Sequence, residues 1–208
     1  MTTDHNSFLA AIEEKYANVA HQIMTEAHQL HASVNQFYDN TLPYSFHLDS
    51  VVDYVTKYAH EVCAHEAHII PILFGAYFHD SLEDTRISYN DLTKIALKHM
   101  DKDQAFIAAE IVFALTNDKG RTRAERAGEK YYQGIRQTPY AAFVKLADRL
   151  ANASYSCGLA CNNYNQRMKD VYCSEFPHFI ESITPTSPGP QFHLPQQMIA
   201  ELQSILNP

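Results

Sequence analysis

The run from His68 to Phe78, HIIPILFGAYF, is apolar almost all the way round any helix that it could form. A helix without a polar face is buried in a globular protein, so this run predicts a helix at the centre of the fold. The run continues into FHDSLEDT, which contains His79, Asp80, Glu83 and Asp84. Carboxylates beside apolar surface are costly unless a partner compensates their charge. The stretch therefore predicts a helical core with an ionic site at its edge.

Helical patterning extends over the rest of the chain, with apolar residues recurring at three- and four-residue steps. Alternating strand patterns with hairpin turns and repeats of fixed period are missing from the sequence. Further helices are predicted over 48–62, after a capping box at Ser88, over 105–115, over 121–136, after Pro139 and over 165–183. The sequence thus predicts an all-α fold, with a domain over 1–183, a linker over 184–190 and a short amphipathic helix over 191–208.

Composition restricts the class of protein. The 208 residues suit one domain with a substantial core. A net charge of −8 argues against a surface that binds nucleic acid over its whole extent, although a local basic pocket remains compatible with it. Neither a membrane-length apolar stretch nor a basic-then-apolar leader pattern is present in the sequence. We therefore expect a cytoplasmic protein with no nucleic-acid or membrane partner, and the sequence leaves an oligomer open.

Three motifs at helix ends or apolar faces carry ligands that a metal ion would take. They are His47 after PYSF, the adjacent pair His79-Asp80, and Asp148 in KLADRLAN. Imidazole nitrogens with carboxylate oxygens suit a first-row divalent metal, and Mn²⁺, Fe²⁺, Co²⁺ and Zn²⁺ are all admissible. Four protein ligands leave room for one water and one phosphate oxygen. Taken singly, His47 is more typical of a packed imidazole and Asp148 of a pair with a neighbouring basic residue, but the combined pattern favours a metal site.

Together these motifs resemble the HD-domain metal phosphohydrolases, and more narrowly the alarmone hydrolase domain of the RelA/SpoT homologue family. HDSLEDT is similar to that family's HDxxEDT, PYSFH to its PYxxH, and KLADRLAN to its KLADRLxN. The similarity extends from about Tyr38 to Tyr155. It implies an HD-domain helical bundle around a metal site, with the length of a stand-alone small alarmone hydrolase.

The resemblance also implies a function. The expected activity is hydrolysis of (p)ppGpp at its 3′-pyrophosphate, giving GDP or GTP and pyrophosphate through attack by water bound to a single Mn²⁺. Other divalent first-row metals remain admissible. The implied metal ligands are His47, His79, Asp80 and Asp148, the implied catalytic pair is Glu83 and Asp84, and Asn152 matches the asparagine that contacts the sugar. Glu83 is expected to accept a proton from the water, while Asp84 orients the water or relays the proton.

The chain departs from the family where nucleotide-binding cations are expected. Tyr38 and Asp39 stand in place of an Arg-Lys pair, and Ser154 in place of a basic residue. Tyr38 is able to stack on a base instead. The substrate-binding candidates are therefore Tyr38, Tyr44, Asn152, Lys145 and the basic segment with Lys119, Arg121, Arg123 and Arg126. Two alternatives stay open: a hydrolase of another nucleotide, such as a deoxynucleotide or NADPH, and a non-catalytic nucleotide-binding relative.

Overall fold

The computed structural model describes residues 10, 12–117, 121–161 and 164–207 of the chain. Its α-helices are α1 (Ala17–Ser33), α2 (Ser45–Val62), α3 (Ile69–Phe78), α4 (Ser81–Asp84), α5 (Tyr89–Ala96), α6 (Lys102–Leu115), α7 (Arg123–Arg126), α8 (Glu129–Gln137), α9 (Ala141–Ser156), α10 (Gln166–Ile183) and α11 (Gln196–Leu206). A π-helical turn, Ile12–Tyr16, precedes α1, and 3-10 turns, Glu66–His68 and Pro190–Phe192, precede α3 and α11. The predicted all-α class is confirmed, and the helices form a bundle.

Helix α3 is the centre of the core, as the apolar run predicts. All 10 of its residues are buried, and it packs against α1, α2 and α6. Gly75 marks a close approach to α6, because a Cβ atom at this position would lie 2.6 Å from Cγ2 of Ile111. Full burial of a large apolar side chain stabilises a fold by about 1.5–3 kcal/mol. Helix α3 therefore anchors the elements that carry the site.

A small hairpin between α1 and α2 is the one sheet within the described residues. Strands β1 (Phe37–Tyr38) and β2 (Leu42–Pro43) pair antiparallel, with Tyr38 opposite Leu42. The backbone at Asp39 and Asn40 is left-handed, with φ of 51° and 62°, which allows the chain to reverse within a short loop. The hairpin places Tyr38 over the N-terminal end of α2.

Of two predictions about helix boundaries, the capping box at Ser88 is confirmed and the single helix over 121–136 is wrong. Ser88 and Asp91 form the capping box at the start of α5, with Ser88 Oγ accepting the Asp91 backbone N–H. The prediction of one continuous helix over 121–136 is wrong, because α7 ends at Arg126 and α8 begins at Glu129. Gly128 caps α8 in an extended conformation, and glycine is a poor residue for the interior of a helix.

The predicted C-terminal helix packs on the rest of its own chain. Helix α11 buries Met198, Leu202 and Leu206 and contacts α9 and α10. Its Glu201 accepts hydrogen bonds from Lys57, at 2.9 Å, and from Tyr58. Most of the residues over 184–190, the predicted linker, are exposed. Among the described residues no helix combines the length and apolar character needed to cross a membrane.

Candidate metal centre

The four predicted metal ligands are brought to one place by three helices. His47 lies in the first turn of α2, His79 and Asp80 follow the last residue of α3, and Asp148 lies in the middle of α9. His47 and His79 are only 2% and 1% exposed, and Asp148 is buried as well. The packing of α2 against both α3 and α9 accounts for this convergence.

The ligand atoms are close enough to share one ion. Those of His47, His79 and Asp80 lie within 4.8 Å of one another. The two histidine Nε2 atoms are 3.3 Å apart, and Asp80 Oδ2 is 3.0 Å from His79 Nε2 and 3.6 Å from His47 Nε2. Asp148 approaches from the α9 side, with its Oδ1 3.4 Å from His47 Nε2 and 3.9 Å from His79 Nε2. The group formed by His47, His79 and Asp80 could therefore hold a metal ion, with Asp148 at its edge.

The orientation of the imidazole rings suits metal binding. His79 Nδ1 lies 2.7 Å from the Ala76 carbonyl oxygen, which accepts its N–H and so leaves Nε2 with a lone pair that faces the cluster. His47 Nδ1 is buried, and within the described residues it has no hydrogen-bond partner. The ring of His47 is held instead by Tyr38, which stacks on it at 5.0 Å with an interplanar angle of 8°.

The electrostatics of the cluster also fit a cation. Burial opposes ionisation of all four side chains, but neighbours of opposite charge outweigh it. Asp148 and Asp80 raise the pKa of His47 to about 9, and Asp80 raises the pKa of His79. The pKa values of Asp80 and Asp148 are lowered, by the histidines and, for Asp148, first by Lys145. A divalent cation would compensate the two carboxylates and leave both imidazoles neutral, as ligation requires.

Asp148 is held by two side chains, and a third side chain supports one of them. Lys145, one helical turn earlier, donates to Asp148 Oδ2 at 2.9 Å. Asn152, one turn later, donates to Asp148 Oδ1 at 2.5 Å and to the Asp148 backbone carbonyl at 3.0 Å. Tyr38 completes the chain, because its hydroxyl donates to Asn152 Oδ1 at 2.9 Å. Of the predicted substrate-binding residues, Asn152 and Lys145 therefore contact a predicted metal ligand directly.

Tyr44 supports Asp80 on the opposite side. Its hydroxyl donates to Asp80 Oδ2, and burial together with the Asp80 charge raises its pKa, so that it stays protonated and remains a donor. The ring of Tyr44 stacks on His31 at 4.7 Å. Tyr44, predicted to bind substrate, thus contacts a predicted metal ligand as well.

Glu83 and Asp84 lie in the short helix α4, immediately after the ligand pair. Glu83 Oε1 accepts the backbone N–H of Asn117 at 2.5 Å, and Oε2 accepts the Asn117 side-chain amide at 3.1 Å. Desolvation by the surrounding protein raises the pKa of the Glu83 carboxyl, and the charge of Asp80 adds to it, although the residue as a whole is exposed. Asp84 Oδ2 accepts a hydrogen bond from Gln36 at 2.6 Å.

The basic residues of the segment that is predicted to bind substrate do not all lie in the same surroundings. Arg121 is exposed, and its backbone N–H is bound by Glu125 Oε2 at 2.7 Å. The side chain of Arg123 and all of Lys119 lie outside the described residues. Arg126 lines a pocket together with Lys145. The positions that lack the expected cations hold internal contacts, because Asp39 accepts from the Tyr155 hydroxyl at 2.9 Å and Ser154 bonds Tyr54 at 2.5 Å.

Comparison with protein-family models and with curated proteins gave no match for this chain.

Three residues of the site escaped the sequence analysis: His31, Gln36 and Asn117. His31 is fully buried, and its Nδ1 lies 2.5 Å from Gln36 Oε1. Gln36 joins His31 to Asp84, while Asn117 holds Glu83. None of the three lies in a motif with the ligands. The only signal in the sequence is that His31 lies at helical spacing on the apolar face with Ala27 and Ile23.

Proposed function

We propose that this chain is a metal-dependent phosphohydrolase that acts on a nucleotide, with (p)ppGpp as the first candidate substrate and Mn²⁺ as the first candidate ion. The observation that carries the proposal is the cluster of His47, His79 and Asp80, followed after one turn by a carboxylate, Glu83, that is fixed by two hydrogen bonds from Asn117. Further support comes from the motif order that resembles HD-domain phosphohydrolases.

The ion would be held by His47, His79, Asp80 and Asp148. When bound, such an ion lowers the pKa of water and withdraws charge from a phosphoryl oxygen. The protein's part is to orient the ligands, since Tyr44 fixes Asp80 while Lys145 and Asn152 fix Asp148. Outer contacts of this kind set the direction of the ligand lone pairs.

Glu83 is the proposed general base. A raised pKa brings a carboxylate closer to the range in which it accepts a proton efficiently, and the hydrogen bonds from Asn117 restrict its orientation. In the reaction, the oxygen of water forms a bond to phosphorus, the bond to the 3′ oxygen breaks, and the proton of the water passes to Glu83. Asp84, fixed by Gln36, is the proposed relay that passes this proton on to the leaving 3′ oxygen.

A second candidate is cleavage of a different nucleotide, such as a deoxynucleotide or NADPH. The observation that favours it is the surroundings of Tyr38 and Asp39. Tyr38 is neutral and Asp39 is an acid, so neither supplies a cation to a phosphate. Both are also engaged within the fold, because His47 covers one face of Tyr38 and Tyr155 donates to Asp39. A substrate with a different arrangement of phosphates would need fewer cations next to Tyr38 and Asp39.

The test is a product assay. Purified protein with Mn²⁺ is incubated separately with (p)ppGpp, NADPH and a panel of deoxynucleotides, and the products are resolved by anion-exchange chromatography. GDP or GTP with pyrophosphate from (p)ppGpp alone is the expected result. Phosphate or triphosphate from another nucleotide, with (p)ppGpp intact, would support the second candidate. If nucleotide binds to metal-loaded protein and stays uncleaved for hours, the hydrolase proposal fails and a non-catalytic binding protein remains.

A further inference from the structure

A pocket lies next to the candidate metal centre, between α8, α9 and α10. Its volume is about 680 Å³, within the roughly 300–1,000 Å³ typical of sites for small molecules. We call it the α8–α10 pocket. Its lining residues include Asn117, Arg126, Tyr132, Lys145, His178 and Phe179.

Two of the lining residues belong to the metal centre as well. Asn117 donates both of its hydrogen bonds to Glu83, and Lys145 donates to Asp148. Lys145 lies one turn before Asp148 on α9, whereas Asn152 lies one turn after it. The pocket therefore meets the centre on the side away from Asn152, and a ligand in it would be next to the proposed base.

The charge of the pocket favours an anion. Among its acidic residues, Glu175 accepts from Arg149 at 2.7 Å and Glu129 accepts from Arg136. Arg126 and Lys145 are the remaining cations of the lining. Lys145 donates to Asp148 at 2.9 Å, and Asp148 itself is not part of the pocket lining. Arg126 is an exposed residue of the lining. An anionic ligand would thus meet cations in a chain of net charge −8.

The pocket also contains aromatic surface. Tyr132 and His178 face each other in an edge arrangement with ring centroids 6.3 Å apart. Phe179 is covered on one side by the Arg149 guanidinium, 4.2 Å from the ring centre. Aromatic rings of this kind stack on a planar base, and the stacking is tolerant of which base it is.

We propose that the α8–α10 pocket is the nucleotide subsite of this chain, with a phosphate group bound between Arg126 and Lys145 and the base held by Tyr132 and His178. The inference rests on the proposed function, because it assigns a place to the substrate of that site. It also supplies cations that are missing around Tyr38 and Asp39.

The experiment is calorimetric titration of the full chain in EDTA, so that no bound ion contributes, with GDP, ADP, guanosine and pyrophosphate as probes. We compare the unaltered protein with Arg126→Gln and His178→Ala. Arg167→Gln is the matched control, because Arg167 is also exposed, lies on α10 and is not part of the pocket lining. Arg126 is itself exposed, so its substitution leaves the core intact.

Both nucleotides are expected to bind more tightly than guanosine and more tightly than pyrophosphate. Arg126→Gln is expected to weaken nucleotide binding about tenfold, the typical effect of one lost charge-assisted hydrogen bond, and to leave guanosine unchanged. His178→Ala should weaken binding of nucleotides and guanosine alike. The proposal is overturned if neither nucleotide binds, if Arg126→Gln changes binding no more than Arg167→Gln does, or if pyrophosphate binds as tightly as GDP.

The outcome for the pocket is separable from the outcome for the reaction. If nucleotides bind as expected but no nucleotide is cleaved with Mn²⁺, the pocket stands and the hydrolase proposal fails. If cleavage occurs and its KM is the same in Arg126→Gln as in the Arg167→Gln control, the hydrolase stands and this subsite fails.

Discussion

Tyr38 donates its hydroxyl hydrogen to Asn152 Oδ1 across 2.9 Å, which joins strand β1 to helix α9. Because the amide of Asn152 is itself directed at Asp148, the hairpin reaches the metal centre through two hydrogen bonds in series. Tyr38 also stacks on His47, so that one tyrosine contacts one predicted ligand directly and the support of another. We infer that the hairpin orients predicted ligands on both α2 and α9.

Asn152→Ala is expected to weaken Mn²⁺ binding. The substitution removes the donor that fixes Asp148 Oδ1, and loss of such an outer contact typically costs about 10- to 100-fold in metal affinity. Tyr38→Phe, which removes only the hydrogen bond to Asn152, should have a smaller effect. Affinity is measured by titration against a competing chelator, with the exposed Asn90→Ala as control. Equal affinities in Asn152→Ala and Asn90→Ala would contradict this account.

Substitutions at Asp80 and Glu83 should separate metal binding from turnover. Asp80→Ala removes a ligand of the cluster and is expected to lose both bound metal and activity. Glu83→Gln leaves the ligand set intact, so the protein should retain metal while turnover falls about 100-fold or more, as expected for loss of a general base. Metal content by elemental analysis is measured beside activity on the same samples. An active Glu83→Gln enzyme would exclude Glu83 as the base.

Glu83→Gln should also stabilise the fold at neutral pH. The folded-state pKa of Glu83 is raised above its ordinary value of 4.5, so the folded chain favours the protonated form. The stability that the protonated carboxyl contributes is fully present below the pKa of Glu83 in the unfolded chain, and it is lost as the pH rises through the pKa in the folded chain. Glutamine does not ionise, so Glu83→Gln avoids this loss. We expect a higher Tm than that of the unaltered protein at about pH 7 and a smaller difference at about pH 4, measured in EDTA.

The control for this pH effect is Glu181→Gln, at an exposed position on α10. Its Tm difference is expected to stay small at both pH values. A Glu83→Gln protein that is less stable than the unaltered one at neutral pH would show that the hydrogen bonds from Asn117 outweigh the cost of desolvation.

Gly75→Ala is expected to destabilise the core. The added Cβ would lie 2.6 Å from Cγ2 of Ile111, so α3 or α6 must shift, and overpacking of this kind costs about 1–3 kcal/mol in the free energy of unfolding. Gly134→Ala is the matched control, because nothing lies within 4 Å of its added Cβ on α8. In a helix interior that change should stabilise by about 0.5–1 kcal/mol. Urea unfolding of both variants measures the difference, and changes of the same sign would contradict it.

The helical class was predictable because it follows from local patterning. The apolar run before His79 requires burial, and the capping box at Ser88 is a signal contained within four residues. Gly128 shows the limit of such reasoning. The charged pattern over 121–136 is compatible with one helix, and only the conformation at this glycine divides it into two.

The outer part of the site was not predictable in the same way. His31 is separated by more than fifty residues from Asp84, to which Gln36 connects it, and no periodic pattern links the three. The same holds for Asn117 and Glu83, which meet only because α6 packs beside α4. Motifs locate ligands that lie in recognisable sequence contexts, whereas supporting contacts depend on tertiary packing.

The predicted ligands lie far apart along the chain, and this separation affects the unfolding rate of the metal-bound protein. His47 and Asp148 come together only when α2 has packed on α9, so an ion that needs both binds a chain that has already acquired its topology. Contacts formed after the folding transition state slow unfolding and leave the folding rate unchanged. Bound metal should therefore lower the unfolding rate of the native chain and leave its folding rate unchanged.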